Sequence, residues 1–341
     1  MMGEAAGLPM IAATVIAFAL TALSGFFLIP MLRALKIGQT ILDIGPNWHK
    51  NKEGTPTMGG VMFVLGIVPA VLAGYFLLWN NGSLPRADLM RILTGLVMAV
   101  AFGGIGFLDD FIKVVKKRNL GLTAKQKLLG QFVVSGLYVL SLYIAGDTST
   151  IVQIPFLGQW NLGLFYYPIM ILGITYVINA VNLNDGIDGL CSSVTFISAL
   201  GYLAAAALLY MPGMSMFAGA LAGGSLGFLL WNFRPAKVFM GDTGSFFFGG
   251  CVVAVAFGLG LPAYLLLFGM IYILEALSVL IQTSYFKLTR RLTGTPKRLF
   301  KMSPIHHHYE MCGWSEGKIC VVFSLVQAVS CLLAIAAIRL L

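Results

Sequence analysis

The dominant pattern along this chain is a series of apolar stretches of about 20 residues, the length an α-helix needs to cross a bilayer. Short segments rich in polar residues, glycine or proline separate them. The pattern predicts an all-α fold, a polytopic membrane helix bundle of about ten transmembrane helices. Their approximate bounds are 8–32, 60–79, 89–108, 128–145, 165–182, 189–210, 214–231, 246–261, 262–284 and 319–340.

Two segments qualify this picture. Residues 151–162 alternate in polarity around a glycine-containing turn, which predicts a small β-hairpin on the outer face of the membrane. The first apolar stretch has neither a basic leading segment nor a small-residue cleavage site, so we expect a retained span. Since no soluble segment interrupts the series, residues 1–341 are predicted to form a single integral membrane domain.

Composition agrees with a membrane location. The chain is 58% hydrophobic and 10% charged, with a mean hydropathy of +0.89, which excludes a water-soluble globule. The five cysteines have no zinc-like spacing and are interpreted as small apolar residues.

The net charge of +9 could indicate a nucleic-acid partner or the excess of Lys and Arg in cytoplasmic loops of membrane proteins. Position decides between them, because 19 of the 22 basic residues fall in alternate connections and only Arg86, Arg91 and Arg339 lie at the other side. We therefore predict a multi-pass plasma-membrane protein with both termini outside and no nucleic-acid partner.

Four polar clusters stand out on the predicted cytoplasmic side. The first is Asp109-Asp110-Phe-Ile-Lys113 at the inner end of the third span, where Lys113 is within helical reach of both carboxylates. The sequence allows a salt bridge at the helix end. Adjacent carboxylates also suit Mg²⁺ binding or a poised base, which is the interpretation we favour.

The second cluster is NAVNLNDGIDG, residues 179–189, between the fifth and sixth spans. Asn182, Asp185 and Asp188 recur every three residues, so one helical turn would place them on one face. Asn-Asp-Gly is also ordinary turn chemistry. Because two carboxylates and several amides exceed what a turn needs, we expect a binding role.

The third cluster follows the seventh span and contains Asn232, Phe239 and the GDTGS motif at residues 241–245. Backbone N–H groups of such a loop can face an anion, while Asp242 offers oxygen to a hard cation. The alternative is a Ser or Thr that caps the eighth span.

The fourth cluster is MSPIHHHYE, residues 302–310, in the longest inner loop. Consecutive histidines are poorly spaced for a helical zinc site, which leaves hydrogen bonds to phosphate or a titrating histidine. A solvated polar loop is the alternative.

Two weaker features remain. Lys116, Lys117, Arg118, Lys125 and Lys127 form a basic rim suited to a polyanion or lipid headgroups, although loop charge bias explains much of it. Glu275 lies inside the ninth span and is either functional or a paired packing residue.

Brought together by a helix bundle, these carboxylates and cations suit Mg²⁺-assisted phosphoryl transfer, with a lipid phosphate entering sideways from the bilayer as nucleophile. An ion-coupled transporter is the alternative from another class. It predicts acidic groups deep within the spans, whereas all but Glu275 cluster at helix ends.

The combined motifs resemble the polyprenyl-phosphate N-acetylhexosamine-1-phosphate transferases over nearly the whole chain. Residues 54–60 (GTPTMGG) and the histidine triplet favour the phospho-N-acetylmuramoyl-pentapeptide transferase branch over the sister N-acetylglucosamine-phosphate branch. The resemblance implies a bacterial enzyme that transfers phospho-MurNAc-pentapeptide from UDP-MurNAc-pentapeptide to undecaprenyl phosphate, giving lipid I and UMP with Mg²⁺ as cofactor.

The resemblance also implies roles for individual residues. Asp242 would be the principal Mg²⁺ ligand, with Asp109 and Asp110 acting on the metal or on the lipid phosphate as catalytic groups beside His307. Asn182, Asp185 and Phe239 would help hold the uridine. The remaining substrate-binding residues would be Thr57, Lys113, Lys117, Lys125, Asp188, Asn232, His306 and His308.

Three points stay open at this stage. Asn184 stands where the family more often has Thr, which preserves a hydrogen-bonding side chain. Asp109 could deprotonate the lipid phosphate or orient it, and a route through a covalent aspartyl-phosphate is the alternative. The sequence does not fix the oligomeric state, and a homodimer is one arrangement it allows.

Overall fold

The fold is a bundle of long helices, seen in a computed structural model that describes residues 2–35, 52, 54–82, 84–116 and 120–341. Within these ranges, ten helices are long and apolar enough to span a membrane, as predicted. The helices are α1 (Met2–Ala34), α2 (Gly60–Asn80), α3 (Arg86–Val115), α4 (Ala124–Ile144), α5 (Tyr166–Leu183), α6 (Leu190–Leu208), α7 (Pro212–Asn232), α8 (Gly241–Gly258), α9 (Leu265–Phe268), α10 (Met270–Thr293), α11 (Ile305–Glu310) and α12 (Glu316–Ile338).

Helix α8 lies at the centre of the bundle. Of its most apolar window 89% is buried, against 28% for α1 and for α4, and it packs against α3, α5 and α2. The central position explains its composition, because small and aromatic residues rather than a polar face cover all its sides. The polar first turn of α8 is consequently enclosed by other helices.

The long helices alternate in direction, which brings their chemically active ends together. The end of α3, the start of α4, the end of α5 and the start of α8 all carry polar residues from the predicted clusters. Side-chain and backbone hydrogen bonds connect these ends directly. Segments far apart in sequence therefore form one polar end of the bundle.

Several helix boundaries differ from the prediction. The eighth span begins at Gly241 and not at residue 246, so the GDTGS motif forms the first turn of α8 and not a loop before it. The third span continues past residue 108 to Val115, so Asp109, Asp110 and Lys113 lie within α3 and not beyond it. The ninth span begins at Met270, because residues 262–268 form a 3₁₀ turn and the short α9 before a break at Gly269. It also runs beyond residue 284 to Thr293.

The predicted hairpin is confirmed. Strands β1 (Ile151–Ile154) and β2 (Gly158–Asn161) pair antiparallel, with Ile151 opposite Asn161 and Ile154 opposite Gly158. A two-stranded hairpin is marginal by itself. Here β1 packs against the 3₁₀ turn before α9, and Val152 is buried.

Candidate active site

Three carboxylates meet where the end of α3 faces the first turn of α8. One oxygen each from Asp109, Asp110 and Asp242 lies within 4.8 Å of the others. Asp109 and Asp110 are buried, while the Asp242 side chain remains 16% exposed. Like charges this close in a poorly hydrated place need cations to balance them.

Two lysines supply that balance. Lys113 Nζ lies 2.6 Å from Asp109 Oδ2, 3.4 Å from Asp242 Oδ2 and 3.5 Å from Asp110 Oδ1. Lys127 Nζ, from the first turn of α4, lies 3.0 Å from Asp109 Oδ2 and 2.7 Å from Asp242 Oδ2. Both lysines keep part of their side chains exposed, so this side of the cluster faces outward.

Asp109 is held from two directions. Its Oδ1 accepts a hydrogen bond of 2.7 Å from the Leu122 N–H, and its Oδ2 faces both lysines. The loop before α4 can lie this close because residue 121 is glycine; a Cβ there would come within 2.3 Å of Asp109 Oδ1. The carboxylate is fully buried, with neither oxygen free to turn outward.

Asp110 makes different contacts. Its two oxygens accept hydrogen bonds from the N–H groups of Asp242 and Thr243 and from the Thr243 hydroxyl. The carboxylate thus points at the backbone of α8.

The Asn-Asp-Gly connection reaches the cluster through Asn182. Asn182 Nδ2 donates to Asp242 Oδ1 at 3.0 Å and to Ser245 Oγ at 2.8 Å, which ties the end of α5 to the start of α8. Asp242 therefore has an amide on one oxygen and two ammonium groups on the other.

Asp185 lies close enough to the other carboxylates for their charges to raise its pKa. Its burial, followed by the negative charges of Asp242, Asp110 and Asp188, raises the pKa of Asp185 to about 8. A raised pKa favours the protonated carboxyl, which can donate a hydrogen bond as well as accept one.

Asp188 belongs to a second charged group beside the first. Lys52 Nζ lies 2.7 Å from Asp188 Oδ1 and 2.8 Å from the Glu316 carboxylate, and the Ala236 N–H donates to Asp188 Oδ2. One lysine thus joins the first inner connection, the α5–α6 connection and the start of α12.

Thr57 and Phe239 are brought together by backbone pairing. The Phe239 N–H donates to the Pro56 carbonyl, and the N–H groups of Gly59 and Gly60 donate to the carbonyls of Phe239 and Met240. A Cβ on Gly241, whose φ is +69°, would lie 3.0 Å from Thr57 Oγ1. The GTPTMGG and GDTGS motifs therefore form one wall.

Asn232 takes part in the support of that wall. Its Oδ1 accepts from the Ser192 hydroxyl and its Nδ2 donates to the Val238 carbonyl, and the side chain is almost fully buried.

The three histidines lie on the short helix α11, and they differ in environment. His306 is fully buried with Nδ1 3.1 Å from Glu275 Oε2, so for this residue the solvated-loop alternative is wrong. The ring lies against Gly186, where a Cβ would be 2.2 Å from Nε2. His307 Nδ1 lies 2.6 Å from Glu310 Oε2, and His308 Nδ1 accepts from the Lys301 N–H.

Lys117 lies outside the described residues. Lys125 is exposed on α4, two residues before Lys127. Since positions i and i+2 point to different faces of a helix, only one of these lysines can face Asp109 and Asp242.

Comparison with known proteins decides what this arrangement belongs to. The family model for glycosyl transferase family 4 matches residues 92–260, and signature 1 of phospho-N-acetylmuramoyl-pentapeptide-transferase matches residues 52–64. The phospho-N-acetylmuramoyl-pentapeptide-transferase of Caldicellulosiruptor bescii is 42% identical over 333 residues, 97% of this chain and 98% of that protein. Those of Clostridium perfringens strain 13 and Halalkalibacterium halodurans are each 44% identical, over 96% and 94% of this chain and 98% and 95% of theirs.

The chain belongs to the phospho-N-acetylmuramoyl-pentapeptide-transferase family. Membership confirms the resemblance seen in the motifs and makes the protein a phosphotransferase enzyme of peptidoglycan synthesis. An enzyme, and not the ion-coupled transporter, is therefore the correct interpretation of its membrane acids.

Three contacts in this family member are not predicted by its sequence. The sequence places Lys127 in a basic rim, gives Lys52 no role beyond loop charge and names no partner for Glu275. Helical spacing predicts only the contact of Lys113 with Asp109 and Asp110, which lie on the same helix. The contacts of Lys127, Lys52 and Glu275 join residues from different elements, so spacing along the chain does not indicate them.

The carboxylate cluster fits a divalent cation by its donors. The family is metal-dependent, and carboxylate oxygens on two facing helices are the ligands a hard cation takes. Asp242 is the best placed of the three, because its side chain is the most exposed and lies beside both lysines.

Proposed function

We propose that this enzyme transfers phospho-MurNAc-pentapeptide from UDP-MurNAc-pentapeptide to undecaprenyl phosphate, forming lipid I and releasing UMP, with Mg²⁺ as cofactor. The observation that carries the proposal is the joint presence of Asp109, Asp110 and Asp242 with Lys113 and Lys127 at one end of the bundle. Phosphoryl transfer between two polyanions is favoured where carboxylates that can hold a cation lie beside ammonium groups that can bind phosphate.

The proposed reaction is a direct displacement. An oxygen of the lipid phosphate attacks the sugar-linked phosphorus, the new P–O bond forms, and the bond to UMP breaks with its electron pair leaving on the UMP phosphate. Bound Mg²⁺ would offset the charge that develops on the diphosphate.

The lysines have the geometry for phosphate binding. Lys113 and Lys127 are partly exposed, so their ammonium groups can contact phosphate oxygens on the open side of the cluster. The nucleotide would be held next to them by Asn182, Asp185, Thr57 and Phe239. Asp188, Asn232 and the histidines would support the same pocket.

The environment of Asp109 favours direct attack over an aspartyl-phosphate. Its oxygens are engaged by the Leu122 N–H and by two ammonium groups, and none of its side chain is exposed. A nucleophile must approach phosphorus in line, which this carboxylate cannot do while it is held. A phosphate monoester with a second pKa of about 6 is also largely dianionic at neutral pH, so the lipid phosphate does not need a base to remove its proton. We therefore propose that Asp109 helps to orient the lipid phosphate.

The polar end is proposed to face the cytoplasm of a bacterial plasma membrane, with both termini outside. The excess of Lys and Arg in the connections at this end supports that orientation. A homodimer stays a prediction.

Purified protein in detergent tests the function. We expect UMP release that requires undecaprenyl phosphate and Mg²⁺ together, without a sealed compartment. UDP-N-acetylglucosamine offered instead should give less than about 1% of the rate, since a pocket built for the larger donor loses most of its binding energy. Faster turnover with UDP-N-acetylglucosamine than with UDP-MurNAc-pentapeptide would contradict the proposed donor.

Asp242→Asn is the variant that tests the metal. We expect loss of at least about 100-fold in turnover, because the metal-facing carboxylate is gone. Gel filtration and thermal unfolding would check that the bundle remains folded. Full activity of this folded variant would remove Asp242 from the site.

A further inference from the structure

The first turn of α8 lacks a cap from its own sequence. Met240 occupies the N-cap position and provides no side-chain hydrogen bond, whereas α4 and α12 are capped by Thr123 and Ser315. The first N–H groups of a helix have no partner within it and need an acceptor when they are buried. Thr243 is buried, so water does not serve its N–H.

Asp110 supplies the missing acceptors from another helix. Its Oδ2 accepts from the Thr243 N–H at 2.9 Å and from the Thr243 hydroxyl at 2.7 Å, and its Oδ1 accepts from the Asp242 N–H at 3.3 Å. A carboxylate at this position is also favoured by the positive end of the helix dipole. Asp110 thus caps α8 in the way an N-cap residue would, but across the α3–α8 interface.

The packing of α3 on α8 makes this reach possible. Ala99, Gly103, Gly106 and Asp110 recur at helical spacing and form one face of α3. A Cβ at Gly106 would lie 2.1 Å from the Asp242 carbonyl oxygen, and one at Gly103 would lie 3.1 Å from Phe247 Cβ. Small residues allow the two backbones to approach closely, which is how membrane helices pack without a hydrophobic driving force.

The three carboxylates of the cluster therefore have different partners. Asp242 and Asp109 each have an oxygen that faces Lys113 and Lys127. In contrast, Oδ2 of Asp110 accepts hydrogen bonds from the N–H and the hydroxyl of Thr243. Only Oδ1 of Asp110 approaches a lysine, at 3.5 Å, and that oxygen also accepts the Asp242 N–H.

We propose that Asp110 is a positioning residue that caps α8 and thereby holds Asp242 in place, and that it is not a ligand of the catalytic cation. This assignment rests on the proposed function, since it divides roles among the carboxylates of that site. It is an alternative to the expectation that Asp110 acts directly on the metal or the lipid phosphate.

Metal binding separates a cap from a ligand. Mn²⁺, which takes the same oxygen ligands as Mg²⁺ and is visible by electron paramagnetic resonance, would be titrated into the purified full-length protein. We expect Asp110→Asn to bind Mn²⁺ within about threefold of the unaltered protein, because the proposed ligand Asp242 keeps its carboxylate. Turnover should fall at least about tenfold, because the weakened cap lets Asp242 shift from its working position. Loss of Mn²⁺ binding as large as in Asp242→Asn would overturn the proposal.

A double-mutant cycle tests the cap without reference to activity. Asp110→Ala, Thr243→Val and the double variant would be compared by thermal unfolding, because alanine, unlike asparagine, leaves no acceptor for Thr243. Coupled effects, with the double variant little less stable than Asp110→Ala, are expected of partners in one cap. Additive effects would show that the Thr243 hydroxyl is not coupled to the Asp110 carboxylate, which contradicts the cap proposed here.

The two experiments distinguish a failure of the metal assignment from a failure of the capping role. If Asp242→Asn retains Mn²⁺ binding, the metal assignment of the proposed function fails, whereas the capping role is still judged by the cycle. If the cycle is additive while Asp242→Asn loses the metal, only the capping role fails.

Discussion

At the scale of single residues, the geometry of the cluster depends on which of several similar side chains faces inward. Lys127 contacts Asp109 and Asp242, while Lys125 is exposed two positions earlier on the same helix. Both are lysines in one basic segment, so their chemistry is the same and only their direction from α4 differs. A positive charge 2.7 Å from Asp242 is worth far more than one in solvent.

We predict that Lys127→Met lowers kcat/KM at least about 100-fold, because an ammonium group preorganised beside the reacting phosphates is lost. Lys125→Met is the matched comparison, with the same chemical change two residues away. It should reduce kcat/KM less than Lys127→Met. Steady-state kinetics at saturating Mg²⁺ would measure both, and a larger loss in Lys125→Met would contradict this assignment.

At the scale of elements, the break between α9 and α10 leaves backbone groups that the helices themselves do not pair. Gln327 of α12 serves them: its Nε2 donates to the Leu267 and Phe268 carbonyls, and its Oε1 accepts from the Ile271 N–H. Ser330 adds a second donor to Leu267. Backbone polar groups away from water must be paired by the protein, so a side chain on a neighbouring span makes the break tolerable.

Gln327→Leu should therefore destabilise the bundle by roughly 2–3 kcal/mol, because the Phe268 carbonyl and the Ile271 N–H are left buried without these partners. Ser330→Ala is the control, with an expected cost of about 1 kcal/mol, since Gln327 still serves the Leu267 carbonyl. Thermal unfolding in detergent would rank the two. Equal stability of Gln327→Leu and the unaltered protein would mean that the break is satisfied in another way.

At the scale of the whole molecule, one lysine links three regions far apart in the chain. Lys52 pairs with Asp188 and Glu316, whose carboxylates are 4% and 8% exposed. These contacts connect the first inner connection with the α5–α6 connection and with the start of α12. The pocket wall is closed by this bridge and by the backbone pairing of Pro56–Gly60 with Phe239 and Met240.

We predict that Lys52→Met lowers the unfolding midpoint by on the order of 5 °C, because two nearly buried carboxylates lose their shared cation. Adding Glu316→Gln should recover part of the loss, since one uncompensated charge is removed. Lys237→Met, at an exposed lysine stacked on Trp231, provides a comparison outside this bridge. A midpoint unchanged in Lys52→Met would show that the bridge contributes little to stability.

The sequence by itself determined the membrane class, the ten spans, the hairpin and the residue types of the site. Those features follow from local composition: an apolar run of about 20 residues has few alternatives to a membrane helix. The cluster motifs also identified Asp109, Asp110, Asn182, Asp185 and Asp242 as neighbours in function, because carboxylates and amides at a membrane edge are costly without a role.

Only the tertiary structure decided which of these groups touch one another. The inward direction of Lys127, the cap that Asp110 provides to α8, the pairing of Glu275 with buried His306 and the bridge through Lys52 all join separate elements. Such contacts depend on the rotation of each helix about its axis and on how closely two backbones approach. Both are fixed by packing between distant segments, for which a single sequence has no local pattern.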